Sequence, residues 1–84
     1  MDGPIDDQRL NRLMNVIYNQ WFRKWKSKDI RKWTDDDWDE MIDEAGYIVD
    51  QGREYGIVYS LVEAFMSEFD ARARAAAEEI LEGI

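Results

Sequence analysis

Residues 34–52, TDDDWDEMIDEAGYIVDQG, hold a helix together with its own start and stop signals. Thr34 stands as an N-cap, whose hydroxyl can accept from a free amide of the first turn. Asp35, Asp36 and Asp37 follow it, where the helix dipole favours negative charge. Asp37 at the third helical position resembles the reciprocal capping box, although that box usually takes Glu or Gln. Trp38, Met41, Ile42, Ala45, Ile48 and Val49 then recur at steps that keep them on one side, and every acid lies off that stripe. Gly52 is a natural stop. The stretch predicts one amphipathic helix over 35–51, and such a stripe must be covered by other elements.

The flanking sequence supplies them. After Pro4, with Asp6 and Asp7 at the dipole's positive end, Leu10, Leu13, Met14, Ile17, Tyr18, Trp21 and Trp25 recur at steps of three and four. They predict a first helix over about 5–27. Beyond Gly52, the positions Ile57, Val58, Leu61, Val62, Phe65, Met66, Phe69, Ala73, Ala76, Ala77, Ile80 and Leu81 predict a last helix over about 55–82. No strand-period alternation and no internal repeat is visible. The expected fold is all-α, a three-helix domain with a long C-terminal helix, and 1–84 reads as one domain.

Length makes the last helix conspicuous. At 1.5 Å per residue it runs roughly 40 Å, while a compact chain of this size is about 30 Å across. The stretch ARARAAAEEILEGI, residues 71–84, should therefore overhang its own domain. Its alanines allow another helix to come close, and Ile80, Leu81 and Ile84 would otherwise be wet. Ala73, Ala76, Ala77, Ile80 and Leu81 are thus the candidate surface for a homodimer.

Composition narrows the chemistry. Of 84 residues, 45% are hydrophobic and 13% aromatic, which is enough for a core and argues against disorder. The chain has no cysteine and no histidine, so disulfides, zinc sites and histidine acid–base catalysis are excluded. Ser27, Thr34, Ser60 and Ser67 have no catalytic motif around them, and the glycines form no phosphate loop. The expectation is a non-enzymatic chain with no cofactor. No run of about 18 apolar residues and no signal-peptide core is present, which predicts a cytoplasmic protein that neither spans a membrane nor carries an export address.

Charge is distributed unevenly. The net charge is −8, but residues 1–32 carry +4 and residues 33–84 carry −12. Each pole offers a candidate surface. Asp35, Asp36, Asp39, Glu40, Asp43, Glu44 and Asp50 form an acidic face suited to a basic protein partner, where closely spaced carboxylates imitate a phosphate backbone. The leading expectation is a small adaptor or inhibitor, of the kind an accessory protein of a bacterium or mobile element would provide. At the other pole, Phe22, Arg23, Lys24, Lys26, Lys28, Arg31, Lys32 and Trp33 interleave cations with rings, as single-stranded nucleic-acid binders do. That is the second reading, set against two facts: Trp21 and Trp25 sit on the core stripe, and the acidic helix follows directly.

Two metal readings complete the survey. Asp35, Asp37 and Asp39 match the first ligands of a calcium loop, but Glu40 stands where its glycine belongs and Gly46 where its glutamate belongs. The pair Glu40 and Asp43 resembles the Glu-x-x-Asp pairs of the all-α nucleotide pyrophosphatases, with Glu79 and Glu82 as the second pair. The resemblance covers four residues and implies metal-dependent hydrolysis, the least favoured reading. Tyr47, Tyr55 and Tyr59 gather near the last turn and suit either an interface or the end of a core.

Overall fold

The computed structural model describes residues 4–83. α1 (Asp7–Met14), a π-helical stretch (Asn15–Phe22) and α2 (Arg23–Lys26) run on without a break as one rod. A 3-10 turn (Ile30–Lys32) leads into α3 (Asp35–Gln51), and α4 (Gly56–Glu82) follows; no strand occurs among the described residues. The all-α, three-helix architecture with a long last helix is the one the spacing predicts. α3 matches its predicted span at both ends. Thr34 Oγ1 accepts from Asp37 N–H at 3.1 Å while Asp37 Oδ2 accepts from Thr34 N–H at 2.9 Å, completing the capping box.

The first rod departs from expectation in its winding. Arg23 N–H donates to the Tyr18 carbonyl, five residues back. Such bonds unwind a helix below 100° per residue, so sequence neighbours turn toward the same side. Trp21 and Phe22 consequently both face inward, at 3% and 5% exposure. Phe22, expected on a nucleic-acid-facing surface, is a core residue.

Trp33 is corrected in the same way. Its indole N–H donates to the Lys28 carbonyl at 3.1 Å, and its ring lies 5.3 Å from Trp25 and 4.6 Å from Trp38. The 3-10 turn, which apolar spacing could not foresee, brings it there. Phe69 of α4 lies fully buried among Phe22 at 4.9 Å, Trp33 at 5.1 Å and Trp21 at 6.0 Å. The buried tryptophans keep their N–H groups satisfied: Trp21 donates to the Met41 carbonyl at 3.2 Å and Trp25 to Glu44 Oε1 at 2.8 Å. Polar groups left unpaired in a core would each cost about 1–3 kcal/mol.

The turn between α3 and α4 depends on close approach. A Cβ on Gly52 would stand 2.8 Å from Val58 Cγ2, and Val58 is itself 1% exposed. Gly46, in the middle of α3, is the opposite case, since a Cβ there meets nothing within 4 Å. The molecule measures 51 × 19 × 18 Å, far longer than the about 30 Å of a compact chain. Residues 77–83 are exposed on every side, as an overhang requires. Ile84, assigned to that overhang from sequence, lies outside the described residues.

Two expectations follow. Phe69→Ala should lower stability by about 3–5 kcal/mol, a large share of the about 4–13 kcal/mol available to such a chain; urea denaturation measures it. The two glycines should respond with opposite signs in thermal melts. In dilute single chains Gly46→Ala should stabilise by about 0.5–1 kcal/mol, and Gly52→Ala should destabilise by about 1–3 kcal/mol.

Candidate interaction surface

The acidic face read from sequence is divided by the fold. One flank of α3 meets the first rod, and its carboxylates are engaged there. Lys24 Nζ lies 2.5 Å from Glu44 and 3.9 Å from Glu40. Lys28 Nζ donates to Asp37 Oδ2 at 2.7 Å. Asp50 lies 3.7 Å from Arg53. Asp35, Asp36, Asp39 and Asp43 are exposed, and none forms an ion pair or side-chain hydrogen bond with another described residue. Of the seven acids assigned to the face, these four point outward uncompensated.

The basic segment loses more. Phe22 and Trp33 are buried, so neither ring offers a stacking surface. Lys24 and Lys28 bridge to α3, and Arg31 pairs with Asp29 at 2.9 Å. Lys26 sits 6.0 Å above the Tyr18 ring. Arg23 and Lys32 are left as exposed cations with no ion pair among the described residues. Among the described residues no group of three or more carboxylates is arranged to hold a metal ion, so the pairs Glu40–Asp43 and Glu79–Glu82 do not converge. No described helix is long and apolar enough to cross a membrane.

A second surface was not foreseen. Between α3 and α4 runs an open cleft of about 560 Å³, with Ile42 and Val49 on one wall and Tyr59 and Met66 on the other. Spacing alone placed Ile42 in the core, yet it is 47% exposed, and Tyr59 is 57% exposed. The signal available in the sequence was Gly46, a helix-weakening residue in the middle of an otherwise well-specified helix. Glu63 and Asp70 edge the α4 side. The overhang candidates are divided as well: Ala73 and Ala76 are half-buried, whereas Ala77, Ile80 and Leu81 are exposed, the last two at 57% and 69%. Of the tyrosines, Tyr47 is exposed beside a smaller cavity, and the Tyr55 hydroxyl accepts from Arg9.

No protein-family model matches the chain, and no curated protein or solved structure matches it. The surfaces therefore have to be read from their own chemistry.

The capping box has a pH signature. The Lys28 ammonium, and then the Thr34 amide, hold the Asp37 carboxyl below the ordinary aspartate value. Its contribution is complete above the unfolded value of about 3.9 and disappears as pH falls through the lower folded one. Asp37→Asn should accordingly lower Tm at neutral pH, with the gap to the parent closing as pH falls below the unfolded value of about 3.9. Melts across that range check it; a constant gap would show that the carboxylate's charge contributes nothing.

Proposed function

We propose that the chain is a small non-enzymatic protein-interaction module, an adaptor or inhibitor. The outer face of α3 meets a basic protein partner, and the α4 overhang joins two copies as a homodimer. The observation that carries the first part is the set of four uncompensated aspartates on a helix whose remaining acids are engaged. Asp35 and Asp36 benefit their own helix at its positive end. Asp39 and Asp43 do not. They stand four residues apart, a like-charge spacing that weakens a helix by about 0.2–0.5 kcal/mol. Carboxylates that cost the fold something and are held rigidly outward suit a partner that supplies the cations, such as a protein surface built for a phosphate backbone.

The overhang supports the second part. Ile80 and Leu81 lie exposed on a helix that extends past its own core, and pairing with another copy would remove them from water.

The test pairs two variants of equal charge change. Asp39→Asn/Asp43→Asn should weaken binding of a lysine- and arginine-rich helical peptide about tenfold, equivalent to about 1.4 kcal/mol. Glu54→Gln/Glu78→Gln should leave it within about twofold. Fluorescence anisotropy at low and moderate salt provides the readout. Equal losses in both variants would mean that net charge alone attracts the peptide, and the α3 face would not be a site.

A further inference from the structure

The α3–α4 cleft and the α4 overhang are two halves of one surface. Tyr59, Met66, Ala73 and Ile80 recur every seven residues, as do Glu63, Asp70 and Ala77, and together they form a single helical stripe. The first half of that stripe is the α4 wall of the cleft. The second half continues onto the overhang, where Ala77 and Ile80 are exposed.

We propose that the occupant of the cleft is the α4 overhang of a second copy. Two copies exchange overhangs across a two-fold axis, with their α4 helices antiparallel. This rests on the self-association proposed above and specifies its contacts. The part 63-66-70-73-77-80 alternates steps of three and four, so about a point between Ala71 and Arg72 it reads the same in both directions. An antiparallel copy therefore brings Ala77 opposite Met66, Ala73 opposite Asp70 and Ile80 opposite Glu63. Met66 of the cleft half thereby meets the small Ala77 of the overhang half, as a knob meets a hole.

Two further observations select a second copy as the occupant. Gly46 weakens α3 by about 0.5–1 kcal/mol relative to alanine, and its own chain fills none of the space a side chain would take. That vacancy lies on the cleft wall, where an entering helix needs room. Charge agrees: Arg74 already pairs with Asp70 of its own helix, and the antiparallel register sets it beside Asp70 of the second copy. Glu79 and Glu82 fall on the opposite side of the overhang, away from the cleft.

The association is apolar and joins two chains of charge −8. Added salt should strengthen it by screening their repulsion, the reverse of the effect on a basic partner.

The chain contains no cysteine, which permits a direct test. Met66→Cys and Ala77→Cys variants of the full chain are prepared singly, then mixed in equal amounts with a mild oxidant. The register predicts a disulfide-linked dimer as the main product of the mixture and little from either variant alone. Like positions would stand about 16 Å apart, beyond the roughly 7 Å Cα separation a disulfide spans. Self-linking of Ala77→Cys alone would show overhang meeting overhang, which overturns cleft exchange while leaving the homodimer. No linking, with sedimentation at the single-chain mass of 10.0 kDa, overturns both and leaves the cleft to a different occupant. In parallel, Ile80→Asp/Leu81→Asp alters exposed positions outside the core and should reduce the dimer to single-chain mass with helicity unchanged. A dimer that survives it overturns the proposal.

Discussion

The ring of Phe69 sits within 6.0 Å of Trp21, Phe22 and Trp33, and this contact ties the last helix to both the first rod and the connection that follows it. Three packed helices of this size have few side chains with which to fill their common axis. Large rings meet that need with few residues, and edge-to-face contacts among them add to simple burial. The cluster explains why so short a chain holds four tryptophans. It also explains the unwound rod: α-helical winding would bury Trp21 and turn Phe22 away, whereas the π-helical stretch delivers both rings to Phe69.

Electrostatics is organised around that core. The charge asymmetry of the sequence is partly neutralised within the molecule, because Lys24 and Lys28 of the first arm reach across to Glu44 and Asp37 of α3. What stays outside follows from geometry. The flank of α3 against the rod is compensated, and the flank carrying Asp35, Asp36, Asp39 and Asp43 is not. The cleft lies on α3 beside that outer flank, so the two proposed surfaces, for a basic protein and for a second copy, are neighbours on one helix.

The parts of the fold legible in the sequence are those governed by local rules. Thr34, the three aspartates after it and the stripe from Trp38 to Val49 specify α3 without tertiary help, and its span is as expected. α4 starts one residue later than its stripe suggested, and the predicted overhang is present. The misses concern Phe22, Trp33 and the division of the acidic face. Spacing at 3.6 residues per turn assumes α-helical winding, so it could not place Phe22. Trp33 belongs to a connection, where no period applies. Which acids of α3 are engaged depends on which side the first rod packs, and one helix's periodicity carries no such information. The cleft was hidden for the same reason: Ile42 belongs to an apolar stripe wider than one neighbouring helix can cover.

Under the proposed self-association, the exposed end of α4 is an element of an assembly. Backbone amides of residues 77–82, held only by their own helix, open readily in a single copy and are shielded once seated against another. Hydrogen exchange of these amides, followed over a range of protein concentrations, tests this most directly. The account predicts protection that rises with concentration over residues 77–82 and stays constant around Phe69. Protection of 77–82 that is independent of concentration would contradict it.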